Sequence, residues 1–271
     1  MTGRVLADAY DVVLLDLDGV VYIGGHPVPH TVEALRAARD RGVRVGFITN
    51  NASRTPDQIA AHLNDLDVAA ERDDVVTSAQ AVATLISRHH PAGSRIAVLG
   101  AEGLREALRE RGFVAVGVVD DADAIVSGYG PDVVWRDIMR AGTRIAQGLP
   151  WFAANADLTI PTPFGEAPGH GAQVDLLSRF SGVVPPVAGK PETPLFDEAR
   201  RRLGGDRVLM VGDRLDTDIL GATDAGIDSL LVLTGVTSMD AVRRSTGGER
   251  PTYIAEDLRG LLQPGSRLDA E

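Results

Sequence analysis

Apolar residues fall along this chain in short unbroken runs, each closed by polar residues and followed by a stretch of helical spacing. The first run, Val12-Val13-Leu14-Leu15, leads into Asp16-Leu17-Asp18-Gly19. Four branched apolar residues without alternation match a strand buried on both faces of a parallel sheet. Residues 43–48 repeat the pattern and end in Thr49-Asn50-Asn51, and residues 207–211 end in Gly212-Asp213. Between the first two runs, Val32, Leu35 and Ala38 share one helical face, and Gly42 supplies the stop. Thr55-Pro56-Asp57-Gln58 opens a second helix with a Thr cap, Pro in the first turn and Gln completing a capping box. Strand, helix, strand, loop and helix in that order predict a right-handed βαβ unit.

The alternation continues. It predicts helices over 79–88, 104–111, 133–147, 172–180 and 193–203, one more running to Ala225, and a last helical turn at 258–262. Strands are expected at 95–99, 114–119, 124–126, 150–154 and 230–233, with a short edge strand at 251–254. Residues 20–29 and 155–171 read as Gly- and Pro-containing loops, and the tail after Pro264 as disordered. No strand of the middle segment ends in acids that resemble Asp16-Leu17-Asp18. That segment reads as a second α/β unit inserted into the first.

Composition narrows the classes. A chain of 271 residues accommodates two domains. A net charge of −11 argues against nucleic acid and anionic membrane as partners. The absence of cysteine excludes disulfides, thiolate metal sites and a cysteine nucleophile. No apolar run approaches a membrane span, and residues 1–10 lack a signal core, so a cytoplasmic location is expected. The 27 basic residues include a single lysine, Lys190. In so arginine-biased a chain, that position is expected to need a compact ammonium rather than a planar fork.

Parallel strands bring their carboxyl ends to one edge, where open α/β sheets bind ligands. Four strand ends carry polar residues: Asp16 and Asp18, Thr49 and Asn50, Lys190 in Gly189-Lys190-Pro191, and Asp213 with Asp218. The inventory suits phosphoryl transfer, which needs a nucleophile, a divalent cation and donors around the equatorial oxygens. Mg²⁺ typically takes one or two carboxylates and several waters, and Asp16 and Asp213 could supply the carboxylates. The Thr49 hydroxyl and Asn50 amide can donate to phosphate oxygens, and Lys190 adds charge.

The set Asp16-x-Asp18-Gly19, Thr49-Asn50, Gly189-Lys190-Pro191 and Gly212-Asp213-x4-Asp218 resembles the four motifs of the haloacid dehalogenase-like phosphohydrolase superfamily, in order and across the whole chain. Phe47-Ile48-Thr49-Asn50-Asn51 and the stretch from Gly212 to Ile219 resemble its subclass IIA. Val76-Thr77-Ser78-Ala79-Gln80 and Arg250-Pro251-Thr252-Tyr253-Ile254 are similar to glycerol-3-phosphate phosphatases of actinobacteria. The resemblance implies a Rossmann-like parallel-sheet core over 1–79 and 184–271 with a large α/β cap over 80–183. It implies hydrolysis of a small phosphate monoester, glycerol 3-phosphate or 2-phosphoglycolate favoured, with Mg²⁺ as cofactor.

By the same resemblance Asp16 is nucleophile and metal ligand, and Asp18 is acid–base and ligand through its carbonyl. Asp213 completes the metal shell, and Asp218 orients that shell and Lys190. Gly19, Thr49, Asn50 and Lys190 hold the phosphoryl group, Gly19 through its N–H. A cap loop with Asn155, Asp157, Leu158 and Ile160 selects the substrate, a small phosphorylated metabolite. Dimerisation through the cap is common in the subclass and is an option here.

Rival functions are a phosphoacceptor signalling or phosphoester-binding module without turnover, and a phosphomutase. Against the signalling module stand the inserted unit and Asp18, which supplies a proton step for turnover. Outside the motifs, plain readings are expected. Asp120-Asp121-x-Asp123 is a surface turn, His89-His90 a solvated helix end, Trp135 and Trp151 packing residues, and Arg200-Arg201-Arg202 a solvated face.

Overall fold

The structure, a computed structural model, describes residues 4–162 and 165–266. In chain order its elements are α1 (Leu6–Ala9), β1 (Val12–Leu15), β2 (Tyr22–Ile23), β3 (His26–Pro27), α2 (Thr31–Asp40), β4 (Arg44–Thr49), α3 (Pro56–Asp65), β5 (Val75–Thr77), α4 (Ser78–Ser87), β6 (Arg95–Leu99), α5 (Glu102–Glu110), β7 (Val114–Val116) and β8 (Ala124–Ser127). There follow α6 (Trp135–Ala146), β9 (Trp151–Ala153), β10 (Thr159–Thr162), β11 (Gly165–Pro168), α7 (His170–Ser181), α8 (Pro194–Leu203), β12 (Val208–Gly212), α9 (Leu220–Asp224), β13 (Asp228–Val232), α10 (Met239–Arg244) and β14 (Tyr253–Ala255). None of the described helices is long and apolar enough to cross a membrane.

The chain divides into two compact units. The first comprises Met1–Ile48, Ile59–Val76 and Lys190–Glu271. Its sheet has the order β14-β13-β12-β1-β4-β5, so β1 lies inside the sheet. There β1 pairs in parallel with β12 and β4, and Leu15 faces Val211 on one side and Phe47 on the other. All four of its side chains are buried. This is why the run needs no polar alternation, since both faces are covered. The register also levels the carboxyl ends of β1 and β12, so Asp16 and Asp213 leave the sheet close together. Leu35 and Ala38 of α2, Leu63 of α3 and Leu258 and Leu261 of a 3₁₀ turn at Leu258–Leu262 join the core around Val13, Leu15 and Phe47.

The second unit comprises Thr49–Gln58 and Thr77–Gly189. Its sheet has the order β7-β6-β8-β9 with every pair parallel. Leu99, Ile125, Trp151, Ile145 and Leu177 form its core. Trp151 packs there as expected, and its indole N–H donates to the Ser127 hydroxyl at 2.8 Å. Trp135 does not pack: it is 61% exposed.

Two stretches read as loops are hairpins. Residues 20–29 contain the antiparallel pair β2–β3, whose Gly24-Gly25 turn has φ of +56° and +86°. Residues 155–171 contain β10–β11, and α7 begins at His170 rather than 172. The tail departs from expectation too. Ser266 accepts a bond from Ile254 N–H at 3.0 Å, so order extends past Pro264, while 267–271 lie outside the described residues.

The solvated face expected for Arg200–Arg202 holds at Arg200 and Arg201, which are exposed, while Arg202 is half-buried. Arg201 and Arg202 both donate to the fully buried carboxylate of Glu198. An ion buried in this way needs such partners. Asp120, Asp121 and Asp123 do stitch a turn: Asp120 accepts from Gly117 N–H, Asp123 from Arg95 N–H, and the Asp121 carbonyl from the Arg95 guanidinium. The rings of His89 and His90 lie against Phe152.

Candidate active site

Past Leu15 the chain leaves the sheet. Asp16 N–H still donates to the Val211 carbonyl at 2.9 Å, holding it to β12. Leu17 is buried, and its carbonyl accepts from the N–H groups of Val20, Val21 and Tyr22. These bonds turn the chain sharply. A spacing of two along a regular strand would aim Asp16 and Asp18 the same way. The turn instead leaves Asp16 half-buried and Asp18 exposed.

Lys190 is 3% exposed, and its Nζ lies 2.7 Å from Asp16 Oδ1 and 2.7 Å from Asp218 Oδ1. Burial opposes the ammonium, but the two carboxylates prevail and hold its pKa above the ordinary lysine value. Asp218 is fully buried with both oxygens engaged, since Oδ2 accepts from the N–H groups of Asp213 and Arg214 at 3.2 and 3.1 Å. It is therefore placed to orient its neighbours. A short π-helical segment, Leu215–Ile219, carries Asp218 back under the end of β12.

Asp213 is buried too. Its Oδ2 accepts from Val236 N–H at 2.9 Å, while its Oδ1 has no partner. Burial and then the Asp16 carboxylate push its pKa up to about 6. Ligand atoms of Asp16, Asp213 and Asp218 all lie within 4.8 Å of one another. Three carboxylates face one ammonium here, and one buried carboxylate oxygen is unsatisfied. That donor set fits a hard divalent cation held through Asp16 and Asp213.

Gly19 has φ of +82°, and a Cβ there would come within 2.6 Å of Asp213 Oδ2. Its N–H donates to the Tyr22 carbonyl at 2.9 Å. The glycine thus serves the close approach of Asp213, and the N–H expected to meet phosphate is already committed. Residues 234–236, which contact both Gly19 and Asp213, were not singled out from the sequence. Val236 contributes its N–H and Gly235 its lack of a Cβ, so only the Thr234 hydroxyl carries a side-chain signal.

Thr49, the last residue of β4, and Asn50 begin the second unit. The Thr49 hydroxyl accepts from Asn51 N–H at 3.0 Å. The Asn50 carbonyl accepts from the Ser78 hydroxyl at 2.6 Å and the Asn155 amide at 2.7 Å, while its own amide donates to Asp157 Oδ1 at 2.9 Å. Asn155 is buried, and its Oδ1 accepts from Asp157 N–H. Its amide thus builds the loop. Leu158 is exposed, and Ile160 lies half-buried in β10.

Comparison with known proteins gives consistent findings. Residues 13–114 match the haloacid dehalogenase-like hydrolase family, and residues 187–261 match the HAD-hydrolase-like family. The chain is 42% identical over 264 residues to D-glycerol 3-phosphate phosphatase of Mycobacterium tuberculosis, covering 97% of this chain and 74% of that protein. It is 37% identical to the 5'-nucleotidase YutF of Bacillus subtilis, covering 92% of this chain and 96% of the other. Among solved structures, glycerol phosphate phosphatase Rv1692 of Mycobacterium tuberculosis in complex with magnesium superposes with a TM-score of 0.92 at 42% identity, over 96% of this chain and 79% of that one. The 4-nitrophenylphosphatase of Thermotoga maritima superposes with a TM-score of 0.88 at 27% identity, over 96% and 98% of the two chains.

Proposed function

The chain belongs to the haloacid dehalogenase-like hydrolases, and on that premise we propose that it is a Mg²⁺-dependent phosphatase of small phosphate monoesters, acting through a phosphorylated Asp16. The observation that carries the proposal is the Lys190 bridge. One buried ammonium holds the Asp16 and Asp218 carboxylates at 2.7 Å each, beside an Asp213 oxygen that nothing else engages. Asp16 and Asp213 would hold Mg²⁺. When bound, the ion neutralises carboxylate and phosphoryl charge.

Asp16 forms a bond to phosphorus as the ester P–O bond breaks. Asp18, exposed one turn further on, gives its proton to the departing alkoxide. It then takes a proton from the water that attacks the acyl phosphate, releasing inorganic phosphate and restoring Asp16. Lys190 keeps Asp16 oriented, and Thr49 and Asn50 are assigned to phosphoryl oxygens.

Glycerol 3-phosphate and 2-phosphoglycolate are the favoured substrates. The similarity to a glycerol phosphate phosphatase supports the first. The second unit is assigned as a substrate-selecting cap, with Asp157, Leu158 and Ile160 as its contacts and Asn155 as the support behind them. The test is kcat/KM across glycerol 3-phosphate, 2-phosphoglycolate, pyridoxal phosphate and nucleoside monophosphates, with nitrophenyl phosphate as reference. Either favoured ester should lead the panel. If nitrophenyl phosphate matches or exceeds both, the substrate assignment is wrong while the chemistry stands.

Self-association through the cap is part of the same reading. Trp135 and Met139 of α6 and Phe180 of α7 are 61%, 54% and 65% exposed. Large apolar side chains clustered on packed helices suit a second copy of the chain.

A further inference from the structure

The segment that follows β13 makes no appearance among the motif residues, yet it touches two of them. The Thr234 hydroxyl donates to the Gly19 carbonyl at 2.5 Å. Val236 N–H donates to Asp213 Oδ2 at 2.9 Å, while the Val236 side chain is exposed. Gly235 lies between them, and a Cβ there would land on the Asp213 carboxylate. In the sheet order β13, β12 and β1 are consecutive. A turn from the first strand therefore reaches over the second to the loop of the third.

We infer that Thr234-Gly235-Val236 is a clamp that sets the geometry of the cation site, with Thr234 and Val236 as positioning residues. The inference rests on reading that site as a Mg²⁺ centre. Asp213 has two oxygens and the clamp takes one. That fixes the carboxylate rotation and leaves Oδ1, buried and unpartnered, as the ligand atom. Thr234 ties the loop carrying Asp16 and Asp18 to the same turn. The two ligand-bearing loops cannot then separate without breaking a part-buried bond. Partners of metal ligands typically change metal affinity by about 10–100-fold when removed. Thr234 and Val236 are expected to act in that range, although neither meets the ion.

The experiment is calorimetric titration of the full chain with Mg²⁺, with no substrate present. Thr234→Val removes the hydroxyl at nearly constant volume, and Thr234→Ser restores it. Val236→Pro removes the N–H donor, fixing φ as well, at a residue that is 71% exposed, and Val236→Ala keeps that donor. The thermal midpoint without Mg²⁺ reports whether each variant folds. Thr234→Val and Val236→Pro should bind Mg²⁺ roughly 10-fold or more weakly, with Thr234→Ser and Val236→Ala near the parent. If both removal variants fold and bind Mg²⁺ as the parent does, the clamp is overturned and the Mg²⁺ reading stands. If the parent itself shows no Mg²⁺ binding, the reading and the clamp fall together.

Discussion

Lys190 joins two carboxylates that would otherwise repel one another at the sheet edge, and it does so while nearly excluded from water. Removing one partner of a buried ionic cluster leaves uncompensated charge, at a cost of about 3–5 kcal/mol. Lys190→Met should therefore lower stability by about 3 kcal/mol, read by urea unfolding, and should also abolish turnover. Lys190→Arg should not restore activity, because a planar fork cannot occupy the place of a point ammonium between two oxygens. Wild-type turnover in Lys190→Arg would contradict that geometry. The residues that carry charge were legible in the sequence, since Asp16, Lys190, Asp213 and Asp218 announce their chemistry by side-chain type. Gly19 was legible as a special position, but the partner of its N–H was not. Val236 was invisible for the same reason, because every residue but proline carries an N–H and only the fold decides where it points.

The start of α7 shows what one element does for a loop. Gly169 N–H donates to the Leu158 carbonyl, Gly171 N–H to the Asp157 carbonyl and His170 Nδ1 to the Asn155 carbonyl, each at 2.8 Å. Three consecutive residues thus pin residues 155–158. The His170 ring is buried, which pushes its pKa down to about 4 from 6.5. The unfolded chain then binds the proton more tightly than the folded one. Stability is complete above the unfolded pKa and falls as pH drops toward the folded one. Between about pH 7 and pH 5 this group should cost about 2 kcal/mol. His170→Asn keeps a short donor and cannot titrate, so urea unfolding at the two pH values should show that much less acid sensitivity. Equal sensitivity in the variant would contradict the assignment. Helix and strand runs were legible from periodicity, whereas the hairpins at 22–27 and 159–168 were hidden. Each strand in them is four residues or fewer, and Gly and Pro dominate their surroundings.

At the scale of the whole molecule, the α/β class followed from the repeated strand–helix alternation. The order β14-β13-β12-β1-β4-β5 did not, because crossovers set it and leave no mark on the strands themselves. The exposed α6 and α7 side chains carry a prediction here: light scattering should give the mass of a dimer, and Trp135→Glu with Phe180→Glu should give that of a monomer. A monomeric parent would contradict the apolar face as a self-association surface. The central claim is that Asp16 carries the phosphoryl group through turnover. Asp18→Asn should accept it from nitrophenyl phosphate, whose phenolate leaves without a proton, but stall, because the hydrolytic water loses its base. Asp16→Asn should lose roughly 10⁴-fold or more of the parent kcat. The most direct measurement is peptide mass spectrometry of Asp18→Asn, acid-quenched during incubation with nitrophenyl phosphate and Mg²⁺. One phosphoryl group on the peptide containing Asp16, absent when Asp16→Asn is added, is the predicted result. A phosphoryl group on any other residue, or sustained turnover by Asp16→Asn, would contradict it.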